Sequence, residues 1–312
     1  MPISVTVYAP ATVANVASGF DVLGFALEKP GDFVTLKKRN KKGVDIVAIE
    51  GDGGKLPLDP ALNTAGVVVS GYLKAADFPF GVDIILKKAM PLSSGLGSSA
   101  ASAVAAVYGV NLLAGELLSR KELLPFTLHA EEAACGTPHA DNAAPALFGG
   151  FVLIRSYEPL DIVKLPVPAG LAAAVVHPHT EVRTADARRI LKKELRLVDA
   201  VRQWGNLAAL VAALYQEDLE LLGRSLQDVV AEPLRSLLIP GFPGVKQAAL
   251  ENGALGCSIS GSGPSIFALC ASLEKAEKVG RAMQQSFLKE VSLESDLYIS
   301  EVNREGPKVV ED

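Results

Sequence analysis

The sequence predicts an α+β protein of two domains, with helices and sheet stacked in two layers. Three observations carry this. Strand-like and helix-like segments alternate unevenly, unlike the strict rhythm of a doubly wound parallel sheet. At 312 residues the chain is long enough for two hydrophobic cores. Pro159, Pro166 and Pro168 crowd one stretch and mark a boundary near residue 165, dividing 1–165 from 166–312.

Ser4–Tyr8 alternates as a strand does, and Ala9–Asp21 then lacks clear periodicity. Phe33–Lys38 and Val44–Ile49 read as strands joined in a hairpin through Asn40–Gly43. Asp59–Leu73 reads as a helix capped by Asp59, with Pro60 at its first position. Val82–Lys88 is a further strand, and Ser119–Ala134 a helix opened by the capping box of Ser119 and Glu122. Residues 136–151 hold a polar cluster between prolines and glycines, unusual for a plain connector, and Phe151–Ile154 is a strand. In the second half Leu171–Val176, Ile266–Cys270 and Leu297–Val302 read as strands. Thr184–Ala213, Ser225–Val230 (ended by Glu232-Pro233) and Leu273–Leu288 read as helices.

Composition narrows the function. With 49% hydrophobic and 21% charged residues the chain is an ordinary soluble protein, not a disordered one. A net charge of −5 offers no basic face for nucleic acid. Met1–Pro10 lacks the basic and apolar regions of a secretory signal. Cys135, Cys257 and Cys270 form no Cys-x-x-Cys pair, and His129, His139, His177 and His179 include no H-E-x-x-H. Both facts argue against zinc, and the odd thiol count fits a reducing cytoplasm.

The stretch with the most chemical content is Pro91-Leu92-Ser93-Ser94-Gly95-Leu96-Gly97-Ser98-Ser99-Ala100-Ala101. Gly95 and Gly97 permit a turn whose amides converge on one point, and Ser98 and Ser99 can cap the alanine-rich helix that follows. Amides at a helix N-terminus hold phosphate well, so this loop is expected to cradle the phosphates of a nucleotide. It is not the P-loop pattern, which needs Gly-Lys-Ser/Thr, nor the dinucleotide fingerprint, which needs a third glycine. No charge appears between Lys88 and Glu116, but Pro91 and the serine–glycine run leave no continuous apolar span for a membrane. Taken alone, the same residues also describe a Gly/Ser turn before a buried helix.

Three blocks settle which reading to follow. Pro10-Ala11-Thr12, Asn15 and Gly19-Phe20-Asp21 with Leu23-Gly24 form the first; Pro91 to Ala100 the second; Ser258-Ile259-Ser260-Gly261-Ser262-Gly263-Pro264-Ser265 the third. In that order they resemble the GHMP kinases across nearly the whole chain. The resemblance is nearest to the homoserine kinase branch, through His139-Ala140-Asp141-Asn142, Thr184 with Arg188, and Glu232-Pro233-Leu234-Arg235 before Ile239-Pro240-Gly241. It implies an N-terminal α+β domain whose glycine loop lies in a left-handed βαβ unit. It also implies a ferredoxin-like C-terminal domain, with the active site between the two. One departure is Val16-Ala17-Ser18, where the family more often has glycine or proline.

The resemblance implies ATP and Mg2+, with phosphoryl transfer to the hydroxyl of L-homoserine on the way to threonine. Asn63 would lie by the adenine, residues 91–101 would hold the nucleotide, and Ser99 and Glu131 would bind the metal. Arg188 and Arg235 would take the substrate carboxylate, while Asn15, Asp21 and Asp141 would face its ammonium group. His139, Thr184 and Gly261 would complete the pocket. Asn142 would face the acceptor hydroxyl beside Asp141, with catalysis by positioning and charge stabilisation. Without the resemblance, Glu131 reads as a solvated helix face, Arg188 and Arg235 as surface arginines, Asn63 as a helix-surface asparagine, Thr184 as a cap and His139 as a structural histidine. A mevalonate kinase is the nearest rival, but that branch is expected to carry lysine where this chain has Thr12. A silent binding protein on the same fold would have lost Ser99, Glu131 or the glycines. The oligomeric state stays open, a homodimer included.

Overall fold

The computed structural model describes residues 2–310, apart from the side chains of Ala134 and Cys135. The first half is organised by a sheet containing β1 (Ser4–Ala14), β2 (Leu23–Arg39), β3 (Val44–Glu50) and β4 (Gly81–Lys87), in the spatial order β1-β2-β4-β3. β5 (Phe151–Tyr157) pairs with the beginning of β2, and β6 (Leu160–Leu165) pairs with β5. The stretch from Ala9 to Ala14, which shows no alternation in sequence, continues β1 because it is buried on both faces.

The expected hairpin between β2 and β3 does not form. β4 lies between them, antiparallel to β2 and parallel to β3. Val82, Ile84 and Leu86 make β4 the more apolar strand, so it takes the central place and leaves β3 at the edge. The β3–β4 pair encloses α1 (Thr64–Ala75), giving a βαβ unit from whose second strand the glycine loop departs. The helix begins later than expected. Asn63, not Asp59, is its N-cap and accepts from the Ala65 amide at 3.1 Å, while Asp59 closes a local turn onto Ala61 at 2.9 Å.

α2 (Ser98–Ala114) is buried along almost its whole length. Alanines let it lie close to β1 and β2 while α1, α3 (Arg120–Cys135) and α4 (Ala140–Phe148) cover it. The expected capping box of Ser119 and Glu122 opens α3. No helix among the described residues is long and apolar enough to cross a membrane.

The second half carries a four-stranded antiparallel sheet. Its strands are β7 (Ala172–Pro178), β8 (Gly256–Ile259), β9 (Ile266–Cys270) and β10 (Ser295–Glu301), in the order β10-β7-β9-β8. Helices α5 (Thr184–Arg189), α6 (Leu197–Gln216), α7 (Leu219–Ser225), α8 (Glu232–Arg235) and α9 (Phe242–Glu251) separate β7 from β8, and α10 (Leu273–Val291) separates β9 from β10. That order and connectivity are ferredoxin-like, as expected. The final strand, β11 (Lys308–Val310), returns to pair with β1 in the first sheet. Phe25 of the first sheet meets Phe267 of the second edge to face at 6.0 Å, tying the two layers together.

Two helical expectations are corrected. Residues 184–213 form two helices, broken between Arg189 and Leu197. Residues 226–231 are a turn, because the Asp228 carboxylate accepts the amides of Val230, Ala231 and Glu232 at 2.8, 3.0 and 2.8 Å in place of helical bonds. Pro233 then sits in the first turn of α8 and starts that helix rather than ending one.

Gly24 of β2 couples this framework to the polar cluster of α4. A Cβ there would run into the Asp141 carbonyl oxygen, and Pro145 lies at 3.0 Å. We expect Gly24→Ala to destabilise the fold by about 1–3 kcal/mol, read as a lower urea midpoint with unchanged m. An unchanged midpoint would mean that α4 is free to shift.

Candidate active site

A cavity of about 650 Å³ lies between the two halves. Its floor is the glycine loop, which β4 delivers and α2 continues. Gly97, at φ 68°, is the N-cap of α2, and a Cβ there would clash with Thr12 Oγ1 and lie 2.7 Å from Asn142 Oδ1. Only glycine satisfies both the left-handed backbone and the close approach. Thr12 also donates its amide to the Leu96 carbonyl at 3.0 Å and its hydroxyl to Asn142 Oδ1 at 2.8 Å. One buried threonine of β1 therefore sets both the loop and Asn142.

Of the expected nucleotide residues, Asn63, Leu92, Ser93, Ser94, Gly95, Leu96, Gly97, Ser98, Ser99 and Ala100 line the cavity. Pro91 only begins the loop, and Ala101 is fully buried in α2, so neither does. Asn63 has its amide engaged already, with Nδ2 donating to Pro57 at 3.2 Å and Oδ1 capping α1.

Glu131 faces inward and is 3% exposed, whereas its neighbour Glu132 faces solvent. Ser99 Oγ donates to Glu131 Oε1 at 2.6 Å, and His139 Nδ1 lies 3.5 Å from Glu131 Oε2. That acceptor, helped by Asp141 and opposed by burial, raises the His139 pKa. Ser99 and Glu131 thus present two adjacent oxygens beside the loop, a donor set that suits a hard divalent cation completing its shell with phosphate and water.

Asn15, Asp21, His139, Asp141, Asn142, Thr184, Arg188, Arg235 and Gly261 all line the same cavity. Arg188, brought in by α5, holds Asp21 through two bonds of 2.9 and 3.0 Å. Its Nε is buried without a hydrogen-bond partner among the described residues. Arg235, on α8, stacks over Phe20 at 4.9 Å and donates to the Gly261 and Ala187 carbonyls at 2.9 and 3.2 Å. Burial lowers its pKa, opposed by Asp21. Asn15 is threefold engaged: its amide meets Asp141 Oδ2 at 3.3 Å, Nδ2 meets Gly261 O at 2.7 Å, and Oδ1 accepts from Asp21 N at 3.0 Å. Burial, reinforced by the Asp21 charge, pushes the Asp141 carboxyl up to about 6. Thr184 Oγ1 lies 3.4 Å from Ser262 Oγ.

Sequence reasoning missed several lining residues. Lys88 is one, and its signal was present: it is the last charge before the long uncharged stretch. Its Nζ is paired with buried Asp32 and donates to Ser98 O at 2.9 Å and Ser102 Oγ at 2.6 Å. Asp32 itself accepts from the amides of Ala89 and Met90 and from Ser98 Oγ, at 2.8, 3.2 and 2.7 Å. Lys55 and Glu181, paired at 3.4 Å across the mouth, had no such signal.

Comparison with known proteins places this geometry. The GHMP kinases N terminal domain matches residues 63–150 and the GHMP kinases C terminal domain residues 210–289. The chain is 53% identical to a homoserine kinase of Chlorobium phaeobacteroides over 97% of its own length and 98% of that protein. It superposes on the crystal structure of homoserine kinase from Cytophaga hutchinsonii with a TM-score of 0.97 at 57% identity, covering 99% and 98% of the two chains. A mevalonate kinase crystallised with R-mevalonate shares the fold at a TM-score of 0.72 but only 16% identity. With its glycine loop, its two-domain cleft and relatives matching end to end, the chain belongs to the GHMP kinases and, among them, to the homoserine kinase family.

Proposed function

We propose that this chain transfers the γ-phosphoryl group of ATP to the side-chain hydroxyl of L-homoserine, giving O-phospho-L-homoserine in the route to threonine. The observation that carries the reading is Arg188. A half-buried guanidinium whose Nε is buried and unpartnered among the described residues, held by Asp21 in a cavity that ends on a helix N-terminus, makes a carboxylate site beside a phosphate site. A zwitterion entering there exchanges one ion pair for two, its carboxylate meeting Arg188 and Arg235 and its ammonium meeting Asp21 and Asp141. His139, Thr184, Asn15 and Gly261 shape the remaining wall. Residues 92–100 hold the phosphates, and Asn63, by capping α1, shapes the wall beside the base.

Ser99 and Glu131 would hold Mg2+, whose chemistry is to neutralise charge on the transferring phosphoryl group. Asn142, fixed by Thr12, orients the acceptor hydroxyl, while Asp141 is engaged from the side by Asn15. Catalysis therefore rests on alignment and charge stabilisation without a strong protein base. Residues 1–165 form the domain that carries the nucleotide loop. Residues 166–312 form the domain that contributes substrate contacts, and their last strand is lent back to the first sheet. The enzyme works in the cytoplasm.

Coupled ADP release is expected with L-homoserine and not with mevalonate, galactose or buffer alone. Equal turnover without homoserine would overturn the reading. Asp141 binds an ammonium group only when ionised, so kcat/KM for homoserine should rise about tenfold per pH unit up to about 6 and level off above it. Asp141→Asn should abolish that limb and raise KM for homoserine about 10- to 100-fold. A collapse of kcat with KM intact would instead make Asp141 the base. Asp32→Asn should raise KM for ATP at least about tenfold, leave KM for homoserine near its original value and lower Tm, because an unpaired Lys88 remains buried. An unchanged KM for ATP, measured also in Asp32→Asn/Lys88→Met, would remove Asp32 from any role in shaping the loop.

A further inference from the structure

Gln203 stands on α6, outside the catalytic cavity, yet its amide holds two segments that enter that cavity. Its Nε2 donates to the Ser18 carbonyl at 3.1 Å and to Asp228 Oδ1 at 3.0 Å, and its Oε1 accepts from the Val229 amide at 2.9 Å. Only one orientation of the amide satisfies these partners, since two accept and the third donates. A glutamate could not donate there, and a lysine could not accept. Ser18 and Asp228 are buried, so neither has water to replace a lost partner. Arg202 and Asn206 also hold the turn, through Gln227. Among the described residues of α6, Gln203 alone bonds to both the turn and the Ser18 loop.

Each segment carries part of the proposed substrate site. Ser18 belongs to the loop whose Asn15 and Asp21 line the cavity. Asp228 organises the turn that leads into α8, and α8 carries Arg235. The two segments meet again at the cavity. There Arg235 stacks over Phe20 at 4.9 Å, and the Gly261 carbonyl accepts from both Arg235 and Asn15. Loop, turn and α8 thus form a closed ring of contacts, with Gln203 at the end away from the cavity. The gap between loop and turn is only about 10 Å³, space for one water at most. A slip at Gln203 is therefore passed to the Phe20–Arg235 end rather than absorbed.

We propose that Gln203 is a positioning residue for the amino-acid substrate, fixing the spacing between the Asn15–Asp21 loop and Arg235. The proposal rests on the homoserine reading of the cavity and adds to it a residue that touches no substrate. In an α-amino acid the ammonium and carboxylate groups share one carbon, so the protein groups that receive them must keep a set separation. A small displacement of α8 against the loop weakens both contacts together. The proposed nucleotide residues lie on the glycine loop and at the start of α2, neither of which Gln203 contacts by hydrogen bond. Its influence therefore falls on the acceptor and not on ATP.

Steady-state kinetics of the full chain decide the matter, with ADP release titrated against homoserine and against ATP. Gln203→Met keeps the bulk of the side chain and removes its hydrogen bonds. KM for homoserine should then rise about tenfold, while KM for ATP stays within about twofold of the wild-type value. Gln203→Glu, assayed at about pH 8 where the new carboxyl is ionised, keeps the bond from Val229 and loses both donated ones. It should give the same split, so the result does not hang on one variant folding. In an Arg235→Ala background, Gln203→Met should lower kcat/KM for homoserine by less than about twofold further, because no guanidinium is left to misplace. Homoserine turnover by the wild type, with KM for homoserine unchanged in either folded Gln203 variant, would overturn the proposal and leave the kinase reading standing. So would a KM for ATP that rises as far as that for homoserine, or an undiminished further loss in the Arg235→Ala background. A wild type without homoserine-dependent turnover would remove the kinase reading and this proposal with it.

Discussion

One buried carboxylate governs the glycine-loop end of this molecule, the proposed nucleotide site. Asp32, on the central strand β2, grips the amides of Ala89 and Met90 on one side of the glycine loop and the Ser98 hydroxyl on the other. Antiparallel pairing of β2 with β4 sets Phe33 opposite Lys87, which brings Asp32 and Lys88 together. Each of the two charges alone would cost several kcal/mol to bury, and together they are neutral and hydrogen-bonded. The donors of Lys88 are occupied by Asp32, Ser98 and Ser102, so this lysine does not act as the phosphate-reaching lysine of a P-loop. It braces the helix start instead, and the amides of the intervening loop inherit a fixed geometry. Preorganised donors of this kind cost no rearrangement when the phosphates arrive.

The proposed acceptor end uses the opposite strategy. Arg188 and Asp21 form a pair that is one-third exposed at each side chain. Such a pair is worth little in itself. Under the proposed function its low value is an advantage, because a zwitterion would replace both partners at small cost and bring a charge-matched contact to each. Arg235 behaves differently. Stacked on Phe20 and tied to two carbonyls, it is a fixed wall rather than an exchangeable charge.

The parts of this design visible in the sequence are those encoded locally. The glycine loop, the capping box of α3 and the alanine-rich core helix each follow from residues close together in the chain. The order of the strands does not, because whether β4 or the Asn40–Gly43 turn decides the neighbour of β2 depends on the burial each strand achieves. The break between α5 and α6 was invisible for a related reason. Nothing between Arg189 and Leu197 forbids a helix, and the cleft-facing position of Arg188 is a tertiary demand. The candidate site was legible through motif order, yet composition and periodicity alone would have left Arg188, Glu131 and Asp141 as unremarkable polar residues. Their significance lies in burial and mutual distance, and both arise only when separate segments of the chain come together, more than a hundred residues apart for Asp141 with Asn15 and for Arg188 with Asp21.

The stretch Asn15-Val16-Ala17 shows how closely the two ends are joined. All three residues have positive φ, at 70°, 37° and 54°. A β-branched valine there is strained, at a cost of about 1–3 kcal/mol, and persists only if its surroundings over-determine it. They do, and from both halves of the chain. Gly261 donates its amide to the Ala14 carbonyl and accepts from Asn15 Nδ2, while Gln203 of α6 and the Ser225 carbonyl at the end of α7 clasp Ser18. The same loop directs the Asn15 amide at Asp141 and its side chain at the Asp21 amide. The strained backbone that arranges the proposed ammonium site is therefore held by the second half of the molecule. Under the proposed function, the amino-acid pocket therefore depends on contacts from both halves of the chain.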